Sequence, residues 1–215
     1  MLRTAHAVVM HQLGRRGGLH VFRVFRRKLD PSAPWHFPAQ YDFGVLTEAE
    51  TLAECRDPAL GLSEGAVREA YRRRGVCIGA RKAGALVGYV WFAFETAPHL
   101  HSVWVKVPTH AIYRYKAFVR PAHRGKGIAP ALYRFADRVF HGQGREEFVN
   151  CIATHNFASI TASQRSGACT LGYLGYWQTD TGFRSFHSGA VRRFGLRFYL
   201  ASPRNGGPIG RTRDS

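Results

Sequence analysis

A basic, glycine-containing segment at 124–129, with the sequence Arg-Gly-Lys-Gly-Ile-Ala, has the residue types of an anion-binding turn. Gly125 and Gly127 carry no Cβ, so a ligand can approach the backbone closely there. If the segment opens a helix, the first N–H groups lack partners within that helix, and the helix dipole adds positive charge. With Arg124 and Lys126 beside them, these groups suit a phosphate or a pyrophosphate.

Two familiar phosphate-binding motifs do not fit this segment. A P-loop needs Gly-Lys-Ser/Thr, which is absent at the required spacing. A dinucleotide-binding fingerprint needs a third glycine, which the segment lacks. Many ordinary basic loops have a similar composition, so the turn alone indicates an anion site without naming the ligand.

The neighbouring elements must position this turn. Residues 111–119 have the alternation of a strand, and 128–141 predict an amphipathic helix. A strand at 147–153 and a helix at 156–166 follow. The other predicted elements are strands at 19–29, 76–81, 85–95, 171–177 and 196–200, helices at 47–56 and 63–74, and a loop over 96–110 that contains Pro98. Thr47 and Glu50 have the spacing of a capping box for the first of these helices, and Ser63 can cap the second. The turn 82–84 predicts a hairpin between the strands at 76–81 and 85–95. This order joins an antiparallel meander to a crossover, which predicts an α/β (α+β) fold with a mixed sheet.

The segment 119–129, Val-Arg-Pro-Ala-His-Arg-Gly-Lys-Gly-Ile-Ala, resembles the coenzyme A signature of the GCN5-related N-acetyltransferase (GNAT) superfamily. That signature is Gln/Arg-x-x-Gly-x-Gly/Ala after a strand that ends in Val-x-Pro. Arg124, Gly127 and Ala129 occupy its fixed positions. The resemblance implies an acyl-CoA-dependent N-acetyltransferase.

A second motif of the same superfamily follows at the expected separation. Asn156 to Ser159 is similar to the family's Asn-x-x-Ala/Ser at the start of the next helix, and Gly167 lies where that helix usually ends. The resemblance covers about residues 75–180. It implies a GNAT-like mixed, mostly antiparallel sheet of six to seven strands flanked by helices.

The resemblance also implies roles for residues of both motifs. Backbone amides of the turn would hold the pyrophosphate of acetyl-CoA or another acyl-CoA, and no metal is implied. The Val119 amide would hydrogen-bond the thioester end, and Asn156 would contact the pantetheine arm, although it also fits a helix N-cap. The implied cofactor-binding residues are Phe118, Val119, Arg124, Gly125, Lys126, Gly127, Ile128, Ala129, Asn156 and Ser159.

The usual catalytic residues of the family are replaced in this chain. Many relatives carry a Glu at the position of Tyr113 and a Tyr at the position of Ser163. Acyl transfer to an amine still needs a group that accepts a proton. The candidates are Glu95, Tyr113, Tyr115 and His110, with His99 and His101 nearby in the sequence. Each also has an ordinary structural interpretation, as a surface carboxylate, a surface imidazole or a packed ring.

The net charge of +17 attracts anions, and it leaves three functions open. The first is an N-acetyltransferase that acts on a primary amine of an unidentified acceptor by direct attack on the thioester. The second is a longer-chain N-acyltransferase that uses acyl-CoA or an acidic acyl carrier protein, with an acyl tunnel opened by the 96–110 loop. The third is a basic nucleic-acid-binding protein with a degenerate transferase fold. The acceptor and the oligomeric state are not indicated.

Length and composition favour a globular protein. We expect a basic arm at 1–18, a single acyltransferase domain at 19–201 and a mobile basic tail at 202–215. No apolar run reaches about 18 residues and no signal-peptide pattern is present, so neither a transmembrane segment nor export is predicted, and we expect a cytoplasmic location. Because no two cysteines have Cys-x-x-Cys spacing, we expect buried, unreactive thiols. They are Cys55, Cys77, Cys151 and Cys169.

Overall fold

Strands and helices follow one another from Leu19 to Leu200 in the computed structural model, which describes residues 18–34, 37–100, 102–179 and 182–200. The strands are β1 (Leu19–Lys28), β2 (Asp42–Leu46), β3 (Val76–Lys82), β4 (Ala85–Ala93), β5 (Thr96–Leu100), β6 (Val103–Lys106), β7 (Ala111–Val119), β8 (Glu147–Ala153), β9 (Cys169–Thr179), β10 (Gly182–His187) and β11 (Arg197–Leu200). The helices are α1 (Glu48–Ala53), α2 (Glu64–Arg72), α3 (Ile128–Phe140), α4 (Phe157–Arg165) and α5 (Gly189–Phe194). The predicted arm up to residue 17 and the predicted tail lie outside the described residues.

The chain divides into two compact units. The first comprises the described residues up to Arg27, the segment Glu95–Pro108, and the described residues from Val149 onward. The second comprises Lys28–Phe94 and Thr109–Phe148. The predicted phosphate turn therefore belongs to the second unit, and the Asn156 motif belongs to the first.

The sheet of the second unit has the strand order β7-β4-β3-β2, and each neighbouring pair is antiparallel. Because side chains alternate along a strand, each face presents its own apolar set. One face, with Ile78, Val90, Phe92 and Ile112, packs against Ile128, Leu132 and Phe140 of α3. The other face, with Cys77, Tyr89 and Trp91, packs against Val67 and Ala70 of α2. Helices on both faces of an antiparallel sheet confirm the predicted α/β class.

The first unit contains two sheets, with strand orders β10-β9-β1-β8 and β11-β6-β5. Aromatic rings connect them: Phe22 and Tyr176 belong to the first sheet, and His99 and Phe198 to the second. The centroids of these four rings lie between 4.4 and 6.2 Å apart. Through His99, this aromatic cluster packs the β5–β6 hairpin against the first sheet.

Most predicted elements are confirmed, with ends shifted by a few residues. The predicted capping box opens α1: the Glu50 amide donates to Thr47 Oγ1 (3.2 Å), and the Thr47 amide donates to Glu50 Oε2 (2.8 Å). The hairpin turn between β3 and β4 is also as predicted, with positive φ at Ala83 and Gly84. Ser63 is the N-cap residue of α2, as predicted, but its side chain makes no capping hydrogen bond.

The predicted loop over 96–110 is wrong, because the structure forms the β5–β6 hairpin there. Pro98 argued against a strand, yet β5 is an edge strand, where a residue without an N–H can be accommodated. Strands β2 and β10 and helix α5 were also not predicted. The described part of the chain therefore contains eleven strands in all, and the mostly antiparallel sheet flanked by helices is as expected.

The cysteine prediction is confirmed for one residue and wrong for another. Cys77 is buried and burial raises its pKa, whereas Cys169 is exposed at the start of β9. Within the described ranges, no helix is long and apolar enough to cross a membrane. Within the same ranges, no three His, Cys, Asp or Glu residues are grouped so that they could hold a metal ion.

Candidate functional site

The predicted phosphate turn connects the end of β7 to the start of α3. Pro121–His123 forms one turn of 3-10 helix, and Arg124 is extended. Gly125 and Gly127 then adopt left-handed backbone conformations, with φ of 76° and 77°. Residues other than glycine are strained in this conformation. Both positions therefore favour glycine for their backbone conformation as well as for its small size.

The first turn of α3 presents unpaired donors at this turn. Gly127 is the N-cap and has no side chain to cap the helix, and the first intrahelical bond runs from the Ala131 amide to the Gly127 carbonyl (3.0 Å). Pro130 has no N–H, so the donors left at the helix start belong to Gly127, Ile128 and Ala129. Together with the positive end of the helix dipole, these amides suit an anionic ligand.

Hydrogen bonds hold the turn against the sheet. Arg124 Nε donates to the Val119 carbonyl (3.1 Å), and the Arg120 amide donates to the Val87 carbonyl (2.8 Å). The Arg120 side chain donates to the Leu86 carbonyl (2.7 Å) and pairs with Asp57. These bonds fix the position of the turn relative to β4.

Close packing at Gly88 fixes the start of the helix. Gly88 is paired with Val119, the last residue of β7. A Cβ at this position would lie 3.1 Å from the Phe118 carbonyl oxygen and 3.2 Å from Ile128 Cγ2. The strand end and the first residue of α3 can approach β4 this closely because residue 88 has no side chain.

Positive charge surrounds the turn. Lys126 and Arg124 are exposed on it. Partial desolvation lowers the pKa of His123, and the nearby charges of Lys126, Lys82 and Arg120 lower it further. His123 Nδ1 lies 3.0 Å from the Tyr41 hydroxyl. The lowered pKa favours the neutral form of His123, so the positive potential at the turn comes from the lysines and arginines around it. This positive potential favours binding of a phosphate.

A β-bulge interrupts β7 before it reaches the turn. Tyr115 pairs with Trp91 and Phe118 pairs with Tyr89, so Lys116 and Ala117 together face one residue of β4. Lys116 has a φ of 45°, and its Nζ donates to the Gly61 carbonyl (2.8 Å). In a bulge the extra residue is left unpaired and side chains are re-aimed. Nothing in the sequence indicated this bulge, since a lysine has no preference for positive φ.

The two tyrosines predicted as candidates lie on one face of β7. Their rings are stacked, with centroids 6.1 Å apart and an interplanar angle of 18°. Tyr113 is only 2% exposed, whereas Tyr115 is half-buried next to the bulge. Burial raises the pKa of Tyr115, which therefore keeps its proton through neutral pH. A half-buried neutral phenol can donate a proton or a hydrogen bond to a ligand.

The remaining candidates occupy different environments. Glu95 is exposed, and its backbone carbonyl accepts from the Val107 amide (2.9 Å). His110 is partly exposed, with Nε2 3.9 Å from Glu147 Oε1. His99 belongs to the aromatic cluster of the first unit, where its Nε2 is buried without a hydrogen-bond partner and burial lowers its pKa to about 4. His101 lies outside the described residues.

The Asn156 motif forms the start of α4 in the first unit. Asn156 Oδ1 accepts a hydrogen bond from the Ser159 amide (3.1 Å), so the residue is the N-cap of this helix. Its side-chain NH₂ is not used in that bond. Ser163 is buried, and Asn150 Nδ2 lies 3.4 Å from its hydroxyl. The serine at the family's tyrosine position is therefore enclosed in the protein.

A glycine turn that leads from a strand into a helix without a side-chain cap is an arrangement that can bind an anion in an α/β protein. The sequence profile described as the acetyltransferase (GNAT) family matches residues 49–167, more than half of the chain. The chain therefore belongs to the GNAT family. The matched region includes both motifs recognised in the sequence.

Solved structures share the fold at low sequence identity. A conserved protein of unknown function from Staphylococcus epidermidis is 9% identical, with a TM-score of 0.53 over 77% of this chain and 64% of that chain. A GCN5-related N-acetyltransferase from Sphaerobacter thermophilus is 18% identical, with a TM-score of 0.51 over 79% of this chain and 54% of that chain. The chain thus spans less than two thirds of either relative. Among curated proteins, none matches the sequence significantly.

Proposed function

We propose that this protein is an N-acetyltransferase that transfers an acetyl group from acetyl-CoA to a primary amine, by direct attack of the amine on the thioester. The observation that carries the proposal is the start of α3, where the amides of Gly127, Ile128 and Ala129 have no hydrogen-bond partner among the described residues and follow a turn with two left-handed glycines. Membership of the GNAT family supports the same function.

The residues of the turn fit a coenzyme A pyrophosphate. Donors are available at the helix start, no Cβ obstructs the backbone at Gly125 or Gly127, and Arg124 and Lys126 supply positive charge. Bound acetyl-CoA supplies an acyl group already activated as a thioester. The Val119 amide, at the end of β7, is the donor we assign to the thioester oxygen, where it would stabilise developing negative charge.

Tyr115 is the proton donor that we assign to the departing thiolate. Its phenol is half-buried beside the β7 bulge, and its raised pKa keeps it protonated at neutral pH. Tyr113 is almost completely buried, which favours a role in holding the Tyr115 ring. The proton acceptor for the amine is proposed to be Glu95 or His110, because both side chains are accessible to water.

The first experiment is isothermal titration of the full chain with acetyl-CoA, followed by measurement of thiol release with a panel of primary amines. We expect saturable binding, and thiol release that depends on the amine. If the wild-type chain does not bind acetyl-CoA, the proposal is wrong. Binding without amine-dependent release from any amine of the panel would also contradict an acetyltransferase.

The same assay tests the longer-chain alternative. Acetyl, octanoyl and palmitoyl donors are compared at equal concentration, as coenzyme A thioesters and on an acyl carrier protein. We expect the acetyl thioester to be turned over fastest, since the 96–110 segment is a packed hairpin with Val103 and Val105 buried. Faster turnover of a longer donor would mean that the protein transfers that longer acyl chain and not acetyl.

A further inference from the structure

An exposed row of aromatic rings lies on one face of the β10-β9-β1 sheet in the first unit. Tyr173 and Trp177 of β9 and Phe186 of β10 are 43%, 54% and 42% exposed. Tyr173 and Trp177 are four residues apart, so both point to the same face of the strand. Phe186 pairs with Gly175, midway between them, and therefore points to that face as well. Large exposed aromatic side chains so close together are unusual on a protein surface.

Gly175 allows these rings to form a continuous row. A Cβ at Gly175 would lie 2.3 Å from Phe186 Cζ, which shows that the Phe186 ring lies directly over this glycine. Residues of one face repeat about every 7 Å along a strand. The rings of Tyr173, Phe186 and Trp177 therefore follow one another along β9, with the middle ring supplied by the neighbouring strand.

Two arginines lie beside these rings. Arg23 of β1 pairs with Tyr173, and its guanidinium carbon is 5.8 Å from the centre of the tyrosine ring. Its Nε is buried without a hydrogen-bond partner. Arg184 of β10 pairs with Trp177 and is exposed. Arg23, Tyr173, Trp177, Arg184 and Phe186 together form what we term the aromatic–arginine face.

The described residues of the unit that carries this face have a larger net positive charge than those of the other unit. The described residues of the first unit include nine Lys and Arg but a single acidic residue, Glu95. The second unit has 16 Lys and Arg against 11 Asp and Glu. Strands β1, β9 and β10 contain no acidic residue at all. A polyanion is therefore attracted to this unit more strongly than to the other.

We infer that the aromatic–arginine face binds single-stranded nucleic acid. Successive bases stack on the rings of Tyr173, Phe186 and Trp177, and Arg23 and Arg184 contact the phosphates. An acidic protein would satisfy the arginines, but it would gain little from a row of flat rings. A second copy of this chain is disfavoured, because it would bring two strongly positive surfaces together. This site goes beyond the proposed acetyltransferase and involves none of its residues.

The test is fluorescence anisotropy of the full chain with labelled single strands of about 12 nucleotides, one of RNA and one of DNA, and with the matching duplex. We expect both single strands to bind and the duplex to bind several-fold more weakly, since its bases are already stacked. Binding should weaken steeply as salt is raised, because arginine–phosphate contacts release counterions. A difference between RNA and DNA identifies which of the two is preferred.

Variants of the face separate stacking from charge. Trp177→Ala should weaken binding about tenfold, in line with the loss of one stacked base. Trp177→Tyr keeps a flat ring and should retain most of the affinity. Arg184→Ala should reduce the slope of log affinity against log salt by about 0.7, the value for one phosphate contact on a single strand. The matched controls are Val45→Ala and Arg68→Ala, which remove an exposed apolar residue and an exposed arginine from the second unit and should leave binding unchanged.

Several outcomes overturn this inference. Equal loss of affinity in Arg68→Ala and Arg184→Ala would mean that binding follows net charge alone. Displacement of the oligonucleotide by acetyl-CoA would place it on the phosphate turn instead. A Trp177-dependent dimer that binds no oligonucleotide would make the face a contact between copies of the chain. Acetyl-CoA binding by Trp177→Ala, measured in parallel, should remain at the wild-type level. A chain that binds acetyl-CoA but no oligonucleotide would therefore contradict the nucleic-acid site and leave the proposed acetyltransferase intact.

Discussion

Arg124 Nε donates a hydrogen bond to the backbone carbonyl of Val119, at a distance of 3.1 Å. Val119 is the last residue of β7, and Arg124 directly precedes the two left-handed glycines. The bond therefore closes the turn and orients the segment that leads into α3. Arg124 thus contributes to the shape of the turn in addition to its charge.

The substitution Arg124→Lys tests this structural role. Lysine keeps the positive charge but lacks the planar guanidinium that reaches the Val119 carbonyl. We expect acetyl-CoA affinity to fall about tenfold, the equivalent of one charge-assisted hydrogen bond. Lys126→Ala is the control, because it removes an exposed charge of the same turn. We expect acetyl-CoA affinity to fall only about two- to threefold, since water and salt screen an exposed charge. Wild-type affinity of Arg124→Lys in calorimetry would show that charge alone matters.

The substitution Gly127→Glu should abolish the anion site. It places a carboxylate at the helix N-cap, within reach of the pyrophosphate, at a position with a φ of 77°. Like-charge repulsion over a few ångströms is worth about 4 kcal/mol near a protein surface, so we expect acetyl-CoA affinity to fall by about a hundredfold or more. Gly142→Glu is the matched control, because Gly142 has a φ of 76° and lies beyond the C-terminus of the same helix. Equal acetyl-CoA affinities for the two variants in calorimetry would contradict the assignment.

Local rules explain why the turn and its helix were predictable. Gly125 and Gly127 were recognised as glycines that allow close approach, and the structure adds that both need positive φ. The amphipathic pattern after them predicted α3 to within one residue of its end. Thr47 and Glu50 likewise form their capping box through bonds within one turn of chain. In each case the residues that determine the structure are neighbours in sequence.

Features that depend on distant residues were not predictable. The bulge at Lys116 arises from the pairing of β7 with β4, and β5 tolerates Pro98 only because it lies at a sheet edge. The row formed by Tyr173, Phe186 and Trp177 depends on the register of β9 against β10. The catalytic residues were left open for the same reason, since side chains from separate elements must converge to form an acceptor site.

Substitutions of Asn156 separate a helix cap from a cofactor contact. Asn156→Asp keeps an oxygen for the Ser159 amide but replaces the side-chain NH₂ with a second oxygen. If the NH₂ contacts the pantetheine arm, as the family resemblance implies, this variant should keep its thermal stability and lose acetyl-CoA affinity about tenfold. Asn156→Ala should also lower the free energy of unfolding by about 1 kcal/mol through loss of the cap. Wild-type acetyl-CoA affinity in Asn156→Asp would leave Asn156 with the capping role alone.

The substitution Tyr115→Phe tests the proposed proton donor. It removes the hydroxyl and leaves the ring stacked on Tyr113. We expect kcat to fall by about 10² or more, as for loss of a general acid, with little change in acetyl-CoA affinity. Because the pKa of Tyr115 is raised well above neutral, the wild-type rate should show no loss of this acid up to about pH 9. Tyr133→Phe is the control, because it removes a hydroxyl from another partly buried ring of the same unit, on α3, which packs against Arg114. An unchanged kcat in Tyr115→Phe would mean that another group donates the proton to the departing thiolate.

The burial of His99 should make the stability of the first unit depend on pH. Its Nε2 is buried without a partner among Phe22, Tyr176 and Phe198, and desolvation lowers its pKa from 6.5 to about 4. Between these two values the unfolded chain binds a proton that the folded chain does not. The free energy of unfolding therefore rises with pH in this range, and it falls as the pH is lowered from about 6.5 towards 4.

Urea unfolding at about pH 7 and about pH 5 measures this effect, and we expect His99 to account for a loss of about 2 kcal/mol between them. His99→Phe keeps an aromatic ring in the cluster and removes the titrating group, so most of that loss should disappear. At about pH 7, the free energy of unfolding of His99→Phe should be close to that of the wild type, because His99 is neutral there. If His99→Phe were as sensitive to acid as the wild type, the pH dependence would have to come from other groups.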